Sequence, residues 1–265
     1  MSTALLLLAT DTPNRLDLLD NALMSLELQG YPFKEKILSV DLMDKDVPNA
    51  AMKSLLQVYQ ERNWKVVVGR CSGHRGMLNN ILRGVSQITT DCLMYSEDDI
   101  VVNKIPYSIP DIFSDSRVGY VCYNTHVHDL GIPTGSEPKL AFINDKSNYR
   151  SLSNGNFFLI KGAVLKDNYY LNLPVMISKT AIFKKLLEYA SSHCQSLGME
   201  PALTKAWFDL GFDKTHDVAI YVKPTAMRDI PHTLDSFYHQ ANMNFWNNDS
   251  SLRHPSINDR ANTIL

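Results

Sequence analysis

Apolar residues along this chain come in short blocks that alternate between two spacings. Ala4 to Thr10 is a continuous apolar run, as a strand buried on both faces requires, and Asp11-Thr12-Pro13-Asn14 supplies turn and helix-start chemistry after it. From Arg15 to Gln29, Leu16, Leu19, Leu23 and Leu26 recur at helical spacing, and Gly30 stops the helix. Lys36 to Val40 reads as a strand ending at Asp41, Ala50 to Arg62 as a helix with Met52, Leu55, Leu56 and Tyr59 on one face, and Trp64 to Gly69 as a strand. The loop from Arg70 to Gly76 leads into a helix from about Met77 to Ile88, which feeds the apolar run Cys92 to Ser96. Repeated strand–helix steps of this length predict an α/β fold with a doubly wound, mostly parallel sheet.

Beyond residue 102 the pattern loosens. A strand is expected around Val118 to Asn124, then a polar stretch from Thr125 to Asn156, and strands at Asn156 to Lys161 and Leu173 to Ser178. Helices follow from Lys179 to Ser192 and from Gly198 to Leu210, with a last strand at Val218 to Val222 and a polar, aromatic tail from Pro224. No repeat or linker divides the chain. The expectation is one domain over 1–265: a nucleotide-binding type of half at 1–102, an irregular second half at 103–222 and a C-terminal tail at 223–265.

The chemistry concentrates where the fourth apolar run ends, at Glu97-Asp98-Asp99. Strands of open α/β sheets deliver their carboxyl ends to the ligand crevice. Three adjacent carboxylates need either bulk water or a cation to neutralise them. In an extended segment Glu97 and Asp99 share one side, a clamp for a hard ion such as Mg²⁺ or Mn²⁺, and Asp98 faces the other, to anchor the loop or touch a ligand. A solvated acidic turn is the competing reading.

The 265 residues are 45% hydrophobic, with a formal net charge of -2, so no global basic field draws the chain to nucleic acid or anionic membrane. The four cysteines, Cys71, Cys92, Cys122 and Cys194, show no paired spacing, which disfavours a disulfide framework or a zinc site; Cys92 and Cys122 read as buried thiols. The Leu5-Leu6-Leu7-Leu8 run lacks a basic flank and reads as a strand, and no stretch approaches a membrane span. The expected location is cytoplasmic, a host's cytoplasm if the gene is viral. Neither a Gly-x-Gly-x-x-Gly after the first strand nor a Walker Gly-Lys-Ser/Thr is present.

Taken in order, these parts resemble the GT-A fold nucleotide-sugar glycosyltransferases, above all the inverting, family-two-like enzymes. Ala9 to Arg15 looks like that family's first strand and Thr-x-x-Asn-Arg helix start, Asp41 like its acid that meets the nucleobase, and Gly73 to Asn79 like its Gly-rich segment ahead of the metal strand. Glu97-Asp98-Asp99 fits the Asp-x-Asp motif in a Glu-Asp-Asp form. Glu200, with Leu203, Trp207 and Gly211, resembles the acid-headed helix of the family, although Pro201 stands where a second acid is usual.

The resemblance implies an enzyme that moves a sugar from a UDP- or GDP-sugar to an acceptor hydroxyl with Mn²⁺ or Mg²⁺. Metal ligands would be Glu97, Asp99 and, by analogy with a C-terminal histidine, His232. Donor contacts would be Thr10, Asp11, Arg15, Asp41, Arg75, Asn79 and Asp98, and Glu200 would be the general base. Each has a plainer alternative: a turn-forming Asp41, a solvent-facing Arg15 or His74, a Glu200 that serves only the helix dipole. Trp207 and Trp246 are candidates for stacking on a sugar or base, with core packing the stronger reading of Trp207. The acceptor is either a glycan or a hydroxymethylated base in phage DNA. A sugar nucleotidyltransferase and a catalytically silent carbohydrate- or nucleotide-binding module are the rival classes.

Overall fold

A computed structural model describes residues 1–12, 15–43, 45–70, 76–102, 112–127, 149–152, 157–160, 171, 175–195 and 197–228. The strands are β1 (Thr3–Thr10), β2 (Glu35–Asp41), β3 (Lys65–Gly69), β4 (Cys92–Glu97), β5 (Ile100–Val102), β6 (Val118–Val127), β7 (Tyr149–Leu152), β8 (Phe157–Ile160), β9 (Val175–Lys179) and β10 (Asp217–Arg228). The helices are α1 (Leu16–Leu28), α2 (Ala50–Glu61), α3 (Gly76–Val85), α4 (Thr180–His193), α5 (Met199–Asp209) and the short α6 (Phe212–Thr215).

All ten strands join one sheet in the order β3-β2-β1-β4-β9-β6-β10-β8-β7, with β5 paired to β10. The longest ladders, β1 with β2, β1 with β4 and β6 with β10, are parallel. β9 enters between β4 and β6 antiparallel to both. The sheet is thus a mixed, mostly parallel α/β sheet with helices on both faces.

Two apolar layers explain why. On one face Leu19 and Leu23 of α1 and Met52, Leu56 and Tyr59 of α2 pack on Leu5, Leu7 and Met94. The other layer sets Ile81 and Val85 of α3, Phe183 and Leu186 of α4, and Leu203 and Trp207 of α5 against Leu6, Leu93, Tyr95 and Tyr120. β1 feeds both layers, so all eight of its residues are buried, as its unbroken apolar run demands.

Several expectations change. The chain after Pro224 was expected to be irregular, yet β10 continues to Arg228, because β6 and β5 offer it backbone partners along that length. Likewise β6 runs on to Val127, and β7 forms inside the segment read as polar loop. Trp207 is fully buried against Phe212 and His216, a core residue rather than a sugar platform. Cys92, Cys122 and Cys194 are buried thiols outside any disulfide. No helix among the described residues is long and apolar enough to cross a membrane.

Candidate active site at the switch point

β1 lies between β2 and β4, and the chain turns in opposite directions to reach them. That is a topological switch point, where the carboxyl ends of parallel strands open a crevice. Thr10 and Asp11 end β1, Asp41 ends β2, and the Glu97-Asp98-Asp99 turn ends β4, so the topology brings most of the candidate residues to one edge.

The acidic turn is held from both sides. The Thr10 backbone N–H donates to Asp98 Oδ2 at 3.0 Å. Beyond the turn, the Val102 N–H donates to Ser25 Oγ at 3.0 Å and Gln29 Nε2 donates to the Val102 carbonyl at 2.9 Å, so α1 grips β5. The strict alternation expected from sequence ends at Glu97. Asp98 and Asp99 form a turn, and both carboxylates meet Arg15: its Nη2 lies 2.6 Å from Asp98 Oδ1 and 3.3 Å from Asp99 Oδ2. The expectation that Asp98 and Asp99 face opposite ways is therefore replaced.

Arg15 sits just ahead of α1, whose positive dipole end also faces this edge. It is buried, not facing solvent on its helix. Burial lowers its affinity for a proton, but Asp98, Asp99 and Glu97 outweigh that and hold its pKa above the ordinary value. Burial pushes the Asp98 carboxyl up to about 6, with Asp99 adding to the rise and Arg15 opposing it. Glu97, at the end of the strand proper, accepts from the Tyr95 hydroxyl at 3.2 Å.

Asp11 and Asp41 are fully buried and work first on the protein itself. Asp11 accepts from the Asn49 N–H at 2.9 Å and from the Asn49 side-chain amide, and pairs with Lys45 at 3.3 Å, which ties β1 to the start of α2. Asn49 is in turn the cap of α2, accepting from the Met52 N–H at 2.9 Å. Asp41 Oδ1 accepts from the Met43 N–H at 2.8 Å, closing a turn in which Met43 has a φ of 57°. The turn-forming reading of Asp41 is thus realised.

Asn79 is exposed on α3. Its neighbour Asn80 is the buried one: its amide donates to the Ala9 carbonyl at 3.1 Å and the Ser39 carbonyl at 3.2 Å, and accepts from Ser39 Oγ at 2.7 Å. Asn80 and Arg83, which donates to the Val40 carbonyl at 3.0 Å, lock α3 under the ends of β1 and β2. Sequence reading missed Asn80 although its signal was present: it falls on one helical stripe with Gly76 and Gly84, both buried. Ser25, Gln29 and Asn49 were missed as well, being polar residues whose partners are remote in sequence.

Glu200 lies half-buried in the first turn of α5, where Pro201 is tolerated because its missing N–H would have no helical acceptor. Its helix packs on the Tyr95 and Tyr120 face of the sheet, and burial first, then Cys122 and Glu200, raise the pKa of the buried Tyr120 phenol. Thr204 Oγ1 accepts from the Leu171 N–H at 2.9 Å and donates to the Glu200 carbonyl at 2.8 Å, fixing this end of the helix. Arg75, His74, His232 and Trp246 lie outside the described residues.

No protein-family model and no curated protein matches the sequence. The fold does match solved structures. S. aureus TarS 1-349 in complex with UDP superposes with a TM-score of 0.56 at 15% identity, covering 91% of this chain and 69% of that one. The same TarS fragment with UDP-GlcNAc gives 0.54 at 14%, covering 92% and 65%, and another TarS structure is spanned over only 37% of its length. UTP-bound UGPase from Acinetobacter baumannii gives 0.50 at 12%, covering 95% and 96%. A Bacillus anthracis protein described as a glucose-1-phosphate thymidylyltransferase gives 0.52 at 10%, covering 91% and 94%. The chain therefore has a fold that accommodates nucleotides and nucleotide sugars in other proteins.

Proposed function

We propose that this chain is a metal-dependent, GT-A-type glycosyltransferase that moves a sugar from a UDP- or GDP-sugar to an acceptor hydroxyl with inversion. The observation that carries the reading is the Glu97-Asp98-Asp99 turn at the β1/β4 switch point, pinned by Thr10 and Arg15. TarS, seen with UDP and UDP-GlcNAc, supports a nucleotide-sugar donor.

The described residues contain no group of three His, Cys, Asp or Glu that alone would cage a metal. Mg²⁺ and Mn²⁺ do not require one, since such ions commonly use one or two carboxylates and complete their shell with phosphates and water. Glu97 and Asp99 are the carboxylates proposed for that role, with His232 a third candidate. When bound, the ion would stabilise charge developing on the departing diphosphate.

The protein's own groups do the rest. Asp98 orders the turn through Thr10 and Arg15, and the ends of β1 and β2 form the base and ribose side of the crevice, with Thr10, Asp11, Asp41, Arg75 and Asn79 as candidate donor contacts. Glu200 accepts the proton of the acceptor hydroxyl as its oxygen bonds to the anomeric carbon, and the bond from that carbon to the diphosphate breaks with the electron pair leaving on phosphate. The acceptor is a glycan or a hydroxymethylated base in phage DNA.

The fold is shared with nucleotidyltransferases, but the first βα turn, Thr10 to Arg15, has no glycine with which to wrap a triphosphate. Incubation with a panel of UDP-, GDP-, TDP- and CMP-sugars, Mn²⁺ and both acceptor types distinguishes the readings. Mn²⁺-dependent release of UDP or GDP supports transfer, pyrophosphate-linked exchange supports nucleotidyl transfer, and binding without turnover supports a silent module.

A further inference from the structure

Arg15 spends a single nitrogen on two carboxylates, at 2.6 Å from Asp98 and 3.3 Å from Asp99, and its side chain is only 8% exposed against 5% and 3% for the acids. Asp98 has a second anchor in the Thr10 N–H. The Nε of Arg15 is buried and has no hydrogen-bond partner among the described residues, so one guanidinium donor remains for an arriving anion. When ionised, Glu97, Asp98 and Asp99 carry three negative charges and Arg15 one positive, leaving a net of two negative charges, which one divalent cation neutralises.

We propose that Arg15 is a resident counter-ion that competes with the divalent cation for Asp99, so that metal binds weakly until the donor diphosphate is present. The inference rests on the metal role of Asp99 proposed above. A cation binding at Asp99 meets the repulsion of the guanidinium and must displace or share its contact with Asp99. The diphosphate offsets that repulsion with its own negative charge and offers an acceptor to the idle Nε donor. Arg15 thereby couples the two ligands, making metal affinity depend on donor and, reciprocally, donor affinity on metal.

The test is a Mn²⁺ titration of the full chain, followed by the electron paramagnetic resonance of free Mn²⁺, without donor and then at saturating UDP. Arg15→Gln is expected to bind Mn²⁺ on the order of tenfold more tightly than wild type without UDP, the size expected for removing a nearby like charge in a partly screened site. The enhancement by UDP is expected to shrink by a similar factor, while Arg15→Lys stays near wild type. If circular dichroism shows Arg15→Gln unfolded, Arg15→Gln/Asp98→Asn is compared with Asp98→Asn, and the double variant should bind Mn²⁺ more tightly. Equal or weaker Mn²⁺ binding on loss of Arg15 overturns this inference alone. No Mn²⁺ binding by wild type even with UDP overturns the metal reading and this inference with it.

Discussion

The Arg15 guanidinium reaches Asp98 at 2.6 Å, and both side chains are almost fully buried. A buried pair of this kind is worth little relative to apolar packing, but breaking it strands a charge. Asp98→Ala removes the better of the two carboxylate contacts of Arg15 and the acceptor of the Thr10 N–H. Urea denaturation should show a loss of about 3–5 kcal/mol; a loss below about 1 kcal/mol would mean that water or another group compensates the guanidinium.

Asn80 and Asn79 form a pair of adjacent residues with opposite expected outcomes. Asn80→Ala leaves the buried carbonyl of Ala9 and the hydroxyl of Ser39 without their amide partner, costing about 2 kcal/mol or more, and should weaken UDP binding because the ends of β1 and β2 lose their support. Asn79→Ala changes an exposed residue and should stay within about 0.5 kcal/mol. Its UDP affinity decides whether the exposed amide touches the donor; an unchanged affinity removes Asn79 from the site.

This pair also shows how far the sequence could be read. The strand–helix alternation and the ladder of leucines in α1 were legible because burial imposes a period, and the acidic turn was legible because three carboxylates after an apolar run are rare in a core. The polar residues that hold the site, Asn80, Ser25, Gln29 and Asn49, were not, because a hydrogen bond to a partner 38 to 77 positions away leaves no local pattern. The extension of β10 to Arg228 was hidden for the same reason: a strand that pairs with β6 and β5 gains its stability from them, not from its own periodicity.

Glu200→Gln keeps the shape of the first turn of α5 and removes a proton acceptor. The expected outcome is a fall in kcat of about 10²–10⁴-fold with UDP affinity within about twofold of wild type. Normal turnover would reassign Glu200 to the helix dipole alone.

His216 gives a pH signature independent of the site. Burial first, then Lys179 and Arg117, hold its pKa below the ordinary value of 6.5, and its ring packs against Trp207 and Phe212. The unfolded chain therefore binds the proton more readily. The stability this group contributes is fully present above about pH 6.5 and is lost as pH falls through the lower folded value. Denaturation at pH 7.5 and pH 5 should show a larger acid-side loss for wild type than for His216→Gln. Equal losses would mean that His216 titrates alike in both states.

The proposed function requires the acidic turn to bind a divalent cation together with a nucleoside diphosphate. Calorimetric titration of UDP and of GDP into wild type and Asp99→Asn, each with and without Mn²⁺, tests it most directly. Mn²⁺ is expected to tighten binding of at least one diphosphate by on the order of tenfold in wild type and to have no effect in Asp99→Asn. Binding indifferent to Mn²⁺ in wild type, or enhanced equally in both proteins, would contradict it.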